Sequence, residues 1–232
     1  MVEVGRPRGR EYRGGYDVGT RMAVHANMTL SSDADRVRLL VLDVDGVLTD
    51  GTILIADSGA ESKRFHVRDG CGLRLWMALG YDVAVLTGRV GMSLRHRLDE
   101  LGIEHLVNGS KDKGRDVAEL CARLGRGFDQ TAMVGDDIPD LPALRLVGYP
   151  IAVADAAAEV RAIARFTTAR AGGQGAVREA IEHLLTAQKR WDEAVAYYDS
   201  ADSATAAPRG AALKTDASDS RGPTLGRSGA NL

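Results

Sequence analysis

Residues Leu39–Gly51 read LLVLDVDGVLTDG. The apolar run Leu39 to Leu42 delivers Asp43 and Asp45 into a turn that contains Gly46. A run this short, bounded by turn residues, reads as a buried strand. In an open α/β sheet, ligands bind at the carboxyl ends of strands. Strand alternation would send Asp43 and Asp45 to the same side of the chain. Two carboxylates side by side repel and are costly to bury, unless a divalent cation or a catalytic division of labour justifies them. The alternative is a solvated acidic turn after a core strand. Gly46 would permit a tight turn or a close approach of backbone to phosphate.

Three further segments bear on that choice. VAVLTGR, Val83 to Arg89, is a second apolar strand ending in Thr87. AMVGDDIPDLPAL, Ala132 to Leu144, holds a third, ending in Asp136, Asp137 and Asp140. Between them Lys113, in NGSKDKGRDVAEL, opens a helical pattern. Asp, Thr, Lys and an acidic cluster, each at the end of an element and in this order, resemble the haloacid dehalogenase superfamily of phosphohydrolases.

Phosphate-monoester hydrolysis is extremely slow without catalysis, so a site must neutralise charge and supply a nucleophile. The resemblance makes Asp43 that nucleophile, forming an aspartyl-phosphate. It implies Mg²⁺, a hard cation, held by Asp43, the backbone carbonyl of Asp45 and Asp136. Asp45 would protonate the leaving sugar oxygen, then deprotonate the attacking water. The Thr87 hydroxyl and nearby backbone N–H groups, that of Gly88 among them, would hold the transferring phosphoryl group. Lys113 would add positive charge beside it and beside Asp43. Asp137 and Asp140 would complete the outer surroundings of the metal or orient Lys113. Dehalogenases of the superfamily lack the second aspartate and its ion-pumping ATPases carry Thr there, so Asp45 points to a phosphatase or a phosphomutase.

The gaps between motifs are short. From Gly51 to Tyr81 the pattern predicts a strand at Thr52–Ala56, a turn at Asp57–Ala60 and a strand at Lys63–Val67. A helix at Gly72–Gly80 follows, offering Leu73, Trp76, Met77 and Leu79 to the core. From Val90 to Asp112 there is room for one helix and a short strand near His105–Val107. Neither gap can house a folded cap, and a mutase needs one. A capless site is open, and a partner subunit commonly closes it.

FHVRDGCGL, Phe65 to Leu73, and ARAGGQGAVREAIEHLL, Ala169 to Leu185, resemble the capless branch that contains 3-deoxy-D-manno-octulosonate 8-phosphate phosphatases and phosphatases of nine-carbon keto-sugar acids. That resemblance implies a phosphorylated sugar-acid substrate and a homotetramer, with the hairpin at about residues 52–67 acting as a flap over the sites. C-terminal segments in that branch help cover a neighbour's site. Alternatives are a phosphatase for a sugar-nucleoside phosphate of a specialised pathway, and a catalytically weak phosphatase-like oligomerisation module. The presence of Asp43, Asp45, Thr87, Lys113 and Asp136 together weighs against the last.

Several flanking residues carry two readings. Arg68 would bind a substrate carboxylate bidentately or pair with Asp69. Arg89 would reach substrate or cap a turn. Lys63 reads as a solvated lysine on a strand face. Gly172, Gly173 and Gly175 suggest a tight backbone path before the final helix. His66 reads as structural or solvent-facing, and the five histidines show no metal-ligand spacing.

The chain has 232 residues and a net charge of −2, which gives no electrostatic case for nucleic acid or membrane. A hydrophobic fraction of 44% supports a real core. Strands alternate with helices from Val37 to about Tyr198, as in a doubly wound, three-layer Rossmann-like α/β fold with a mostly parallel sheet. One domain is expected over residues 36–199. Residues 1–35, rich in Gly and Arg, and residues 200–232, almost without large apolar groups, are expected to be disordered. Met28 opens a natural-looking start, so the residues before it read as an extension or a misassigned start codon. No export-signal core is visible, and Cys71 and Cys121 form no CxxC, which suits a reducing cytoplasm. Cys71 would line the site entrance, and Cys121 would be buried. The last helix, from about Ala176 to Tyr198, would set Trp191, Val195 and Tyr198 against a neighbour or against its own core.

Overall fold

A computed structural model describes residues 33–199. The expectations for residues 1–32 and 200–232, disorder at both ends and a start at Met28, lie outside those described residues. The described fold begins slightly ahead of residue 36. Asp33–Arg36 forms a 3₁₀ turn whose Ala34 is buried in the core. The Gln188 side-chain amide fastens this turn by donating to the carbonyls of Ala34 and Val37, both at 3.0 Å.

Leu39–Leu42 (β1) is buried at every residue, as a strand covered on both faces must be. It pairs in parallel with Asp82–Thr87 (β4) on one side and Thr131–Gly135 (β6) on the other. His105–Asn108 (β5) extends the sheet beyond β4. Tyr149–Ala152 (β7) and Phe166–Thr167 (β8) extend it beyond β6, all in parallel. Leu54–Ile55 (β2) and Glu61–Ser62 (β3) form a separate antiparallel hairpin. The sheet order is β5-β4-β1-β6-β7-β8. With the hairpin set aside this is the doubly wound order, and it reverses direction between β1 and β6, where a crevice opens at the carboxyl ends.

The helices are Val67–Ala78 (α1), Met92–Leu101 (α2), Lys113–Arg123 (α3), Leu141–Leu144 (α4), Ala158–Ile163 (α5), Ala176–Ala187 (α6) and Trp191–Asp199 (α7). α1 packs on α2, α6 and α7, while α3 packs on α4 and α4 on α5. With the right-handed crossovers that parallel strands take as a rule, this strand order sets the two groups on opposite faces of the sheet. The result is the expected three-layer α/β fold, with a hairpin where a cap domain would stand. Among the described residues no helix is long and apolar enough to cross a membrane.

Three elements differ from the sequence reading. The hairpin pairs only Leu54 with Ser62 and Ile55 with Glu61, because Gly51–Ala60 are exposed and give a longer ladder nothing to pack on. α1 starts at Val67 rather than Gly72, with the His66 side chain capping it by accepting from the Arg68 backbone N–H. Its first turns carry glycines in place of an apolar stripe. A Cβ on Gly72 would press on the Arg178 backbone, 3.3 Å from its Cα, so the glycine permits close packing of α1 on α6. The last helix is two. α6 ends in a Schellman motif, in which the Arg190 N–H donates to the Leu185 carbonyl and the Lys189 N–H to that of Thr186. Lys189 takes the left-handed position at φ 57°. α7 then folds back onto α1 of the same chain, with Ala194 buried and Trp191 packed against the core.

Candidate active site

β1 delivers Asp43 to the switch point, where its backbone N–H still donates to the Val134 carbonyl of β6, at 3.1 Å. The strand then ends, and the chain turns through residues 44–49. Gly46 has φ +95°, and a Cβ there would lie 2.1 Å from Asp136 Oδ2. Only glycine lets the loop after β1 lie against the acid at the end of β6. The Gly173 N–H fastens that loop from outside by donating to the Val47 carbonyl at 3.0 Å, and the Gly172 N–H donates to Asp155 at 3.0 Å. The glycine loop before α6 thus buttresses the first motif.

Asp43, Asp136 and Asp140 each offer an oxygen, and these lie within 4.8 Å of one another. Lys113 enters from the first turn of α3, a helix capped by the Asp112 side chain. Its buried ammonium donates to Asp43 Oδ1 at 2.8 Å and to Asp140 Oδ1 at 2.5 Å. Burial works against the charged lysine, but the two carboxylates together hold its pKa above the ordinary value. Burial and the Asp140 charge push Asp43 up to about 6 in spite of Lys113. Burial, Asp140 and Asp43 push Asp136 up to about 8.

The three acids are not equivalent. Asp140 is fully engaged, with Oδ2 accepting from the backbone N–H groups of Asp136 and Asp137 at 3.0 and 3.3 Å. Asp136 Oδ1 is buried with no hydrogen-bond partner. An acidic cluster whose members raise one another's pKa, with one buried oxygen unpaired, fits a hard divalent cation. Asp43 and Asp136 are the acids that could hold such an ion, whereas Asp140 is already engaged by Lys113 and by two backbone N–H groups. Asp137 is exposed and meets Asp140 through its backbone.

Asp45 lies in the turn after β1, and its carboxylate does not join this cluster. Its Oδ1 accepts from Lys63, a residue of the hairpin. Lys63 also lies 3.1 Å from Glu61, and its side chain is only 4% exposed. It is not the solvated strand-face lysine that its sequence context suggested. Arg89 donates to Glu61 at 2.8 Å, and its Nε stands 3.7 Å from Asp45 Oδ2. The Arg89 hydrogen bond, and then that of Lys63, hold Glu61 below the usual carboxylate range. Arg64 pairs with Asp50 as a second tether, and the Ser93 hydroxyl donates to the Glu61 carbonyl at 3.0 Å.

Thr87 is buried at the end of β4, beside β1, and its hydroxyl accepts from the Arg89 N–H at 3.2 Å. Gly88 follows it at the surface. Arg68 is exposed, and it does not pair with Asp69. Asp69 turns inward and accepts from the Arg178 backbone N–H at 2.8 Å. Cys71 does not line the site; it faces Tyr198 and Arg178, while Cys121 is buried as expected. The residues that sequence reasoning missed are Glu61 and Lys63 acting together. Their spacing of two, in an extended segment that precedes the VRDG segment and would set both side chains to one side, was the available signal.

Haloacid dehalogenase-like hydrolases, as a family, match residues 100–181. The 3-deoxy-D-manno-octulosonate 8-phosphate phosphatase KdsC of Escherichia coli K12 is 44% identical over 161 residues, covering 69% of this chain and 86% of that protein. The crystal structure of the Yersinia pestis 3-deoxy-D-manno-octulosonate 8-phosphate phosphatase is similar at a TM-score of 0.68 and 42% identity, over 70% of this chain and 88% of that one. That of the Moraxella catarrhalis phosphatase, in complex with magnesium ion, phosphate ion and a KDO molecule, gives 0.70 and 38%, over 72% and 97%. The four motifs, the capless sheet and these likenesses agree, and the chain belongs to the 3-deoxy-D-manno-octulosonate 8-phosphate phosphatase family of haloacid dehalogenase-like hydrolases.

Proposed function

We propose that the protein is a Mg²⁺-dependent phosphomonoesterase acting on 3-deoxy-D-manno-octulosonate 8-phosphate or a closely related eight- or nine-carbon sugar-acid phosphate. The observation that carries this reading is the Asp43 carboxylate, buried at the switch point and held by Lys113 beside the unpaired oxygen of Asp136. Mg²⁺ would be held by Asp43, Asp136 and the Asp45 carbonyl, and its charge would let an anionic nucleophile meet an anionic ester.

Asp43 attacks phosphorus as the bond to the sugar oxygen breaks, and Asp45 gives its proton to that oxygen. Asp45 then takes a proton from water, whose oxygen attacks the aspartyl-phosphate and restores the Asp43 carboxylate. Lys113, the Thr87 hydroxyl and the Gly88 backbone N–H stabilise the charge on the phosphoryl oxygens. Arg68, exposed at the start of α1, and Arg89, at the hairpin, are candidates for the sugar acid and its carboxylate. The exposed Ile53, Leu54 and Ile55 of the hairpin support a homotetramer in which flaps close the sites. The reading places this chemistry in the cytoplasm.

Phosphate release with Mg²⁺ tests the reading. The panel holds 3-deoxy-D-manno-octulosonate 8-phosphate, nine-carbon keto-acid 9-phosphates, hexose phosphates and nucleoside-linked sugar phosphates. A strong preference for a sugar acid is expected. A preference for the nucleoside-linked compounds would move the substrate elsewhere, and no release from any would leave an assembly role.

A further inference from the structure

The hairpin does more than stand over the site, because it reaches into it with one buried cation. Lys63 leaves β3 and turns inward, with its side chain 4% exposed. Its ammonium donates to Oδ1 of Asp45 and lies 3.1 Å from Glu61 Oε1. Glu61 is fixed in turn by Arg89 at 2.8 Å through its other oxygen, and by Ser93 at its backbone carbonyl. The remaining oxygen of Asp45, Oδ2, is buried and has no hydrogen-bond partner. Arg89 Nε, the charge facing it, stands off at 3.7 Å. The two oxygens of one carboxylate are therefore divided, one hydrogen-bonded to Lys63 and the other facing Arg89 without a hydrogen bond.

A proton-transfer group works best when its carboxylate is held in one rotamer with the transferring oxygen left unengaged. A lysine meant for substrate would present its ammonium to solvent, whereas this one is already engaged by Asp45 and Glu61. We infer that Lys63 is a positioning residue for Asp45, clamping Oδ1 and reserving Oδ2 to carry the proton to the leaving oxygen, with Glu61 and Arg89 holding the clamp. The acid is then set only while the hairpin is docked. This inference rests on the acid role of Asp45 proposed above.

The leaving group separates positioning from other roles. A sugar alkoxide must be protonated as it departs, whereas nitrophenolate leaves without a proton. The comparison uses kcat/KM, which reports steps up to the first irreversible one, for 3-deoxy-D-manno-octulosonate 8-phosphate and for p-nitrophenyl phosphate. It uses the full chain with Mg²⁺ and the variants Lys63→Met, Lys63→Arg, Glu61→Gln and Asp45→Asn. In Lys63→Met the loss for the sugar phosphate should exceed the loss for p-nitrophenyl phosphate by about ten-fold or more, carried by kcat rather than KM. Lys63→Arg, which keeps a donor, should recover much of it, and Glu61→Gln should show the same bias more weakly.

Equal losses on both substrates in Lys63→Met would make Lys63 merely structural. A rise in sugar KM with kcat intact would make it a binding residue. Either result overturns the inference, and Glu61→Gln decides in the same way if Lys63→Met does not fold. Asp45→Asn separates this inference from its parent. Bias in Asp45→Asn without bias in Lys63→Met removes Lys63 alone, whereas no bias in Asp45→Asn removes the acid role and the clamp together.

Discussion

Gly172 lies so close to Gly46 that a Cβ added to it would sit 1.7 Å from the Gly46 carbonyl oxygen. The neighbour is backbone, so relief requires moving the loop that carries Asp45 and buttresses Asp136. Gly172→Ala should therefore destabilise by about 1–3 kcal/mol or more, lowering Tm by roughly 3–10 °C, and should lower kcat with it. Gly91 has extended backbone at φ −161° and nothing within 4 Å of its Cβ position. Gly91→Ser should leave Tm within about 2 °C, since serine also suits a helix N-cap. Thermal unfolding of the pair checks both, and a Gly172→Ala protein as stable as wild type would contradict the packing.

The acidic cluster makes stability depend on pH in a definite direction. Without metal, Asp136 keeps its proton up to about pH 8 and Asp43 up to about pH 6, against an ordinary value of 3.8. The folded state binds more protons than the unfolded chain between about pH 4 and pH 8, so stability falls as pH rises through that window. Mg²⁺ must displace those protons to bind. Adding Mg²⁺ to chelator-treated protein should therefore raise Tm more at about pH 8 than at about pH 5.5. Equal gains at the two pH values would remove the cluster as the metal site.

Asp43→Asn separates chemistry from folding. The amide cannot form the aspartyl-phosphate, so phosphate release should fall below about a thousandth of wild type. The same change removes one of the charges that raise Asp136, so the metal-free variant should melt no lower than wild type at about pH 8. Substantial residual turnover would take Asp43 out of the nucleophile role.

Lys189 occupies a left-handed position that glycine takes without penalty. Lys189→Gly relieves about 1–2 kcal/mol of backbone strain, part of which is offset by greater freedom of the unfolded chain. A net gain of about 0.5–1 kcal/mol, or roughly 2 °C in Tm, is expected, with kinetics unchanged. A lower Tm would mean that the lysine side chain contributes more than its backbone loses.

The sequence carried the parts of this protein that short-range chemistry encodes. Apolar runs ending in Asp43, Thr87 and Asp136 marked strands at the switch point, because a strand buried on both faces has to be apolar along its length. Lys113 was legible for a related reason, since it opens a helix behind its own capping aspartate. The glycine-bearing start of α1 was not, because Gly70 and Gly72 replace the apolar stripe that periodicity detects. The break at Lys189 carried no glycine to announce it. The inward turn of Lys63 was hidden most deeply, since its partner Asp45 lies 18 residues away and only the fold brings the two together.

The ten positions from Gly51 to Ala60 are all exposed, while Asp43, Lys113 and Asp140 are buried in the body of the fold. Mutational tolerance is therefore divided along the chain. A library randomised across the hairpin tip explores new substrate contacts at little risk to the fold of the single chain, provided that Gly51 and Gly59, at φ +75° and +82°, and Glu61 and Lys63 are left in place. The same diversity spread over the strand ends would mostly yield proteins that never reach a native state.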